Sequence, residues 1–281
     1  MTIRLRQRLG KYRIERRLAE GGFGTVYQAL DTLEGIRVAL KVLRGRQLSK
    51  EALADFRHEV RIIAQLDHPH ILPLKNAAFI DGRLVLAFPL GVESLESRMR
   101  RRMSSAQILN FGEQMLEALN YAHSCQIIHC DVKPDNLILF PNGTLRLTDF
   151  GIAKLALRTL SASGSGTVGY MAPEQALGKP TFSSDLLAVG LVLFEMLTGE
   201  LPEWPFTWPM SGIDRLRRRV SPEIISVLRK SLEVDLRKRY RTAKSMLRSL
   251  RLARQTSPRT HSTRRRTAAD TASRHMLRRC A

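Results

Sequence analysis

Cysteine is scarce. Cys125, Cys130 and Cys280 are the only three in 281 residues, and no two stand in Cys-x-x-Cys spacing. This odd, scattered set excludes a disulfide framework and offers zinc no thiolate cluster, so reduced thiols are expected. Long apolar runs are missing as well. The longest, Leu186 to Leu197, covers 12 residues and contains Glu195, well short of the roughly 20 apolar residues that cross a bilayer. No transmembrane helix is expected. The opening segment MTIRLRQRLGKYRI breaks every apolar stretch with Arg or Lys and lacks the apolar core of a secretory signal. The cytoplasm is the expected location. Acid is short relative to base: 46 Lys and Arg face 26 Asp and Glu, a net charge of +20. Such a field favours phosphate-rich or acidic partners, and an Arg-rich habit spread along the whole chain explains the same number equally well. Hydrophobic residues at 43% and charged residues at 26% are ordinary for a folded chain of one large or two small lobes.

Alternating apolar and polar residues from Tyr12 to Val42, broken by Gly21, Gly22, Gly24 and Glu34-Gly35, predict consecutive antiparallel strands. Leu53, Phe56, Val60 and Ile63 recur at helical spacing between Ser49, a candidate N-cap, and Leu66. Two further strands, Ile71 to Leu74 and Leu84 to Phe88, are expected around the Asp81-Gly82 turn. After Gly91 helices take over, beginning at the capping-box pattern Ser104-x-x-Gln107. The exception is a hairpin from Leu137 to Thr148 around Asn142-Gly143. The expected division is an N-terminal extension over 1–11, a catalytic unit over 12–252 with lobes 12–88 and 91–252, and a basic tail over 253–281. From Arg254 onward the chain carries eight Arg, one Asp and almost no large apolar residues, so it builds no core.

Several residues carry chemistry. On the strand Val38-Ala39-Leu40-Lys41, Lys41 shares a face with Ala39 and Leu43, and a half-buried ammonium needs an anion. Glu59 stands on the core-facing stripe of the following helix and is a natural partner. A two-residue turn at Asn142-Gly143 would pair positions whose numbers sum to 285, which sets Asn136 opposite Asp149 at the open end of the hairpin. Two such oxygen donors suit a hard divalent cation. Asp131 and Lys133 lie in the same short loop, His129 to Asn136. The glycine-rich turn at Glu20 to Gly24 joins two strands, which argues against a Walker loop or dinucleotide fold and for a flap over phosphates.

Taken in order, the glycine loop, Val-Ala-Leu-Lys41, Glu59, HCDVKPDN, Asp149-Phe150-Gly151 and Ala172-Pro173-Glu174 resemble the protein kinase family. The stretches EGGFGTVYQALD, GTVGYMAPEQALG and LFEMLTGELP are similar to bacterial relatives of the eukaryotic Ser/Thr kinases. The resemblance implies an α+β bilobal fold, an antiparallel-sheet lobe with one main helix above a mostly helical lobe. It implies ATP under Leu18, Ala19, Glu20, Gly21, Gly22, Phe23, Gly24, Thr25 and Val26. Adenine would lie against Val26, Ala39, Leu86, Ala87 and Ile138. Lys41, held by Glu59, would meet the α- and β-phosphates, and Asn136 and Asp149 would hold Mg2+, with Mn2+ as the alternative ion. Asp131 would accept the proton of a Ser or Thr hydroxyl on a protein substrate while Lys133 contacts the γ-phosphate and Thr167 the catalytic loop. Glu174 would pair with Arg239, Asp185 would brace the loop, and Ile63, His129 and Phe150 would stack in the core.

The sequence departs from that pattern at several places. Ala19 replaces the first loop glycine. Cys130 stands where an Arg commonly grips a phosphorylated activation loop, so phosphorylation of Thr159, Ser161, Ser163 or Ser165 is not the expected switch. Direct alignment puts Pro89, which has no N–H, where a backbone donor would meet adenine. That residue speaks for the alternative of a nucleotide-binding pseudokinase scaffold. The basic tail reads as a solvated end or as a docking arm for an acidic partner or nucleic acid.

Overall fold

The period-two pattern after Tyr12 becomes one antiparallel sheet. The computed structural model describes residues 3–21, 24–43, 57, 60–150 and 168–256. Strands β1 (Arg8–Leu9), β2 (Tyr12–Glu20), β3 (Gly24–Asp31), β4 (Ile36–Leu43), β5 (Asn76–Ile80) and β6 (Arg83–Pro89) pair in the order β1-β2-β3-β4-β6-β5. Inward side chains of successive strands, among them Tyr12, Ile14, Tyr27, Ala29, Val38 and Leu40, make one core. Ile3 and Leu9 belong to that core and β1 pairs with β2. The stretch expected to be an extension is therefore woven into the lobe.

The helix expected after Ser49 is described only at its end, as α1 over residues 60–65, with Ile63 buried. Ser49, Leu53 and Phe56 lie outside the described residues. The Asp81-Gly82 turn forms as expected, with φ of 50° and 69°, but its first strand is β5 rather than Ile71 to Leu74. Pro73 removes a donor from that stretch. Ile71 makes an isolated bridge to Leu147 instead, and Leu72 N–H donates to the Leu147 carbonyl at 2.9 Å. These two residues tie the first lobe to the second.

The second lobe carries β7 (Glu93–Ser94), α2 (Leu95–Met99), α3 (Ser105–Ser124), β8 (Leu137–Leu139) and β9 (Leu145–Leu147), then α4 (Pro173–Ala176) and α5 (Phe182–Thr198). It closes with α6 (Ile213–Arg219), α7 (Pro222–Ser231) and α8 (Ala243–Thr256). Ser104 caps α3 as expected, its Oγ accepting from Gln107 N at 3.2 Å. The 12-residue apolar run sits in α5, a helix buried on all sides because α3, α7 and α8 pack around it. A Cβ at Gly190 would lie 2.2 Å from Ser231 Oγ, so α7 approaches α5 only because that residue is glycine. Helix α8 runs past the expected boundary at 252, since Ala253 is buried and Arg254 pairs with Glu113 of α3 at 2.7 Å. Among the described residues no helix is long and apolar enough to cross a membrane.

The hairpin differs from its expected register. Leu137 pairs with Leu147 and Leu139 with Leu145, so the numbers sum to 284 and three residues, 141–143, form the loop. Pro141 presets the first turn position, Gly143 N–H closes on the Phe140 carbonyl at 3.0 Å, and Gly143 takes φ of 75° as the bulge residue. Asn136 therefore faces Thr148, whose N–H donates to its carbonyl at 2.9 Å, and not Asp149. Gln114 of α3 anchors the hairpin, its buried Oε1 accepting from Leu145 N at 2.7 Å. Gln114→Leu should leave that donor unsatisfied and cost about 1–3 kcal/mol, read as a lowered thermal midpoint. An unchanged midpoint would show that the hairpin is held by its apolar contacts alone.

Candidate active site

The loop after α3 is shaped by a buried carboxylate. Asp185, in the first turn of α5 and 1% exposed, accepts from His129 N at 2.9 Å, Cys130 N at 2.9 Å and His123 Nε2 at 2.9 Å. The helix N-terminus and three donors together stabilise the buried charge. His123 Nδ1 is buried without a partner, which places the ring proton on Nε2, where Asp185 receives it. His129 Nε2 donates to the Thr148 carbonyl at 2.8 Å, while its Nδ1 accepts from Asp131 N at 3.1 Å. Gln175 of α4 donates from Nε2 to the Cys130 carbonyl at 2.6 Å. Cys130 is thereby held at φ of 65° from both ends of its peptide unit, a left-handed conformation that costs of order 1–3 kcal/mol in a residue other than glycine.

That loop presents Asp131. Its Oδ2 accepts from Asn136 Nδ2 at 2.7 Å and lies 2.9 Å from Lys133 Nζ. Asn136 Nδ2 also reaches the Asp131 carbonyl at 2.8 Å. Across the cleft, Lys41 Nζ lies 2.7 Å from Asp149 Oδ1. Asp149 takes φ of 66°, which turns the chain just after β9. Asp131, Lys133 and Asn136 thus form one cluster in the second lobe, and Asp149 of that lobe pairs with Lys41 of the sheet. Glu59 and Thr167 lie outside the described residues, as do Gly22 and Phe23. The expected anchoring of Lys41 by Glu59 accordingly falls outside the described residues, and among those described Lys41 pairs with Asp149.

The roof and walls follow from the sheet. Val26 stands opposite Lys41, and Ala39 opposite Phe88. Ala39 and Ile138 pack against the cluster of Leu72, Leu84, Leu86 and Phe88, so the expected adenine-facing set spans both lobes. Ala87 is buried in the other core. A Cβ on Gly24 would meet the Val42 carbonyl at 2.5 Å, so that glycine is required by the neighbouring strand, whatever it also does for phosphate. Pro89 ends β6 opposite Val38, and Leu90 is the next residue with an N–H. Behind the loop, Glu174 meets Arg239 at 2.6 Å and Ser184 Oγ at 2.7 Å. Burial alone would raise the Glu174 carboxyl pKa, but the donors from Arg239 and Ser184 outweigh it and hold the group below its ordinary range. His129 and Phe150 pack edge to face at 4.6 Å, with Phe150 and Ile63 in one buried cluster.

Residues 12–250 match the family described as protein kinase domain. The chain belongs to the protein kinase family. It is 36% identical over 254 residues to the serine/threonine-protein kinase PknA of Mycobacterium tuberculosis, covering 83% of this chain and 59% of that one. It is 33% identical over 257 residues to the probable serine/threonine-protein kinase PknB of Lactococcus lactis, covering 84% of this chain and 41% of that one. The chain thus spans about two fifths to three fifths of the length of these curated relatives. The crystal structure of the Mycobacterium tuberculosis PknI kinase domain superposes with a TM-score of 0.70 at 23% identity, covering 90% of this chain and all of that one, which establishes the shared fold.

Reading the sequence did not single out Gln114, His123 or Gln175 as polar anchors. Each is buried, and a buried amide or imidazole within an apolar helix pattern was the available signal. Gln175→Glu tests the most consequential of them. An ionised carboxylate would face the Cys130 carbonyl with no proton to give, whereas its protonated form would restore the donor. Turnover of Gln175→Glu should therefore rise relative to the unsubstituted protein as pH falls from about 8 to 6, with Gln175→Leu impaired at every pH. Parallel pH profiles for Gln175→Glu and the unsubstituted protein would remove the bond from the account.

Proposed function

We propose that the chain is an ATP-dependent protein kinase that transfers the γ-phosphoryl group to Ser or Thr hydroxyls of proteins. The observation that supports this most is the Lys41–Asp149 contact at 2.7 Å, facing an Asp131 already held by Asn136 and Lys133. Lys41 orients the α- and β-phosphates. The Asp131 carboxylate takes the proton from the substrate hydroxyl as the oxygen bonds to the γ-phosphorus and the bond to the β–γ bridging oxygen breaks, releasing ADP. Lys133 balances charge on the transferring group. The backbone N–H of Leu90, one residue beyond Pro89, would serve the adenine edge in place of the donor that proline lacks.

Asn136 and Asp149 offer only oxygen donors to a cation, and among the described residues no group of three or more His, Cys, Asp or Glu forms a protein cage. That donor set fits Mg2+, which binds through one or two carboxylates with phosphates and water supplying the rest. When bound, the ion offsets charge on the phosphate oxygens. We further propose that the catalytic unit takes in the flanking segments packed onto its two lobes, back to Ile3 and on to Ala253, that it works in the cytoplasm, and that it needs no activation-loop phosphate, since Cys130 is fixed by Asp185 and Gln175.

Radiolabel transfer from ATP to a Ser/Thr-containing protein in the presence of Mg2+ tests the reaction. Asp131→Ala should lower turnover by at least about 10²-fold while nucleotide binding, measured by calorimetry, is retained. Undiminished transfer by that variant, or none by the unsubstituted protein on any substrate, would overturn the assignment.

A further inference from the structure

The net charge is not spread along the chain. Residues 1–212 hold 25 Lys and Arg against 21 Asp and Glu, whereas residues 213–281 hold 21 against 5. A general Arg-rich habit therefore does not account for it. Helices α6 to α8 and their connections concentrate this charge within the described residues. Cations that serve the fold there are paired or buried: Arg239 meets Glu174, and Arg251 and Arg254 meet Glu113 and Glu117 of α3.

A second set is not. Lys230 at the end of α7, Arg237, Lys238 and Arg241 in the following turn, and Lys244 and Arg248 on α8 are all exposed. None of the six forms an ion pair among the described residues. Lys230 Nζ lies 4.7 Å from the centre of the Tyr240 ring, which joins the end of α7 to the turn. Lys244 and Arg248 are four residues apart and so share one face of α8, one turn above Arg241. The two acids of the turn do little to neutralise the set. Asp235 Oδ1 accepts the backbone N–H of Arg237 at 2.9 Å, and Glu233 is half-buried with its carbonyl on Arg239 Nε. Six cations set against these two acids leave an excess of positive charge on the surface, a standing cost to the fold that a polyanion would relieve. The same helix leads directly into residues 257–281, with seven Arg, no Lys and one Asp.

We infer that this ridge binds nucleic acid through its phosphates. The ridge runs from the end of one helix over a turn and along a second helix. The apolar stripe of α8, Met246, Leu247, Leu250 and Ala253, is buried in the core, which leaves Leu252 as the one large apolar side chain that helix exposes, too little for insertion into lipid. The exposed side chains of the ridge include no aromatic residue for base stacking, so binding is directed at the backbone and is indifferent to sequence. The surface is separate from the cleft and the inference stands whether or not the chain turns over ATP.

The test is fluorescence anisotropy of the full chain with a labelled mixed-sequence DNA duplex and a single-stranded RNA between 50 and 200 mM NaCl. With six cations engaged, the logarithm of the binding constant should fall against that of salt with a slope of about −5 or steeper. Arg237→Glu/Lys238→Glu/Arg241→Glu, with the tail intact, should weaken binding at least tenfold at 100 mM and flatten the slope by about 3. Lys244→Glu/Arg248→Glu, an independent pair, should weaken it in the same sense. Thermal midpoints and peptide phosphorylation report that each variant is folded. Binding unchanged in the folded variants, a salt-independent affinity, or tighter capture by phosphatidylserine vesicles or polyglutamate than by the duplex would overturn the inference.

Discussion

One buried carboxylate organises the catalytic loop. Asp185 is nearly inaccessible to water and spends both oxygens on the backbone of His129 and Cys130, with His123 as a third donor. Those bonds are made by backbone groups that would otherwise be orphaned in a tight, partly left-handed turn. They decide where the next residue, Asp131, can be. In the proposed reaction, what the cleft does with a hydroxyl depends on that position, because proton transfer requires hydrogen-bond reach before any question of acidity arises.

The same logic extends outward. Gln175 holds the Cys130 carbonyl, Glu174 in the same short helix holds Arg239, and Arg239 spends its remaining donors on the carbonyls of Ser183, Glu233 and Val234. Helix α4 is thus nailed to the loop on one side and to the helical core on the other. Toward the first lobe, His129 reaches the Thr148 carbonyl one residue before Asp149, and Asp149 reaches Lys41. A continuous set of polar contacts therefore runs from α5 through the loop to the sheet. Cys130 takes part through its backbone N–H and carbonyl alone, which is the ground of the proposal that no phosphate need be gripped at this position.

Much of this was legible in the sequence. The strand alternation after Tyr12, the Ser104 cap, the Asp81-Gly82 turn and the glycine-, lysine- and aspartate-bearing motifs follow from local preferences, and local preferences survive folding. The register of the Leu137–Leu147 hairpin did not follow, because Pro141 turned a two-residue loop into three and a single residue of slip changes every partner. Ile71 to Leu74 looked like strand but were recruited by β9, a contact of long sequence separation. The first and last residues of the lobes were misjudged for a related reason: Ile3, Leu9 and Ala253 are buried by elements far away in sequence. Gln114, His123 and Gln175 could be recognised as anchors only once their partners were in place.

The central claim is that the loop is set by these internal bonds. It is tested most directly by the initial rate of phosphoryl transfer from a variant carrying Thr159→Ala, Ser161→Ala, Ser163→Ala and Ser165→Ala, confirmed free of phosphate by mass spectrometry. The account predicts a rate within about threefold of the unsubstituted protein, a difference below roughly 1 kcal/mol in barrier. A fall of about 10²-fold or more, with the protein still folded and still binding nucleotide, would contradict it.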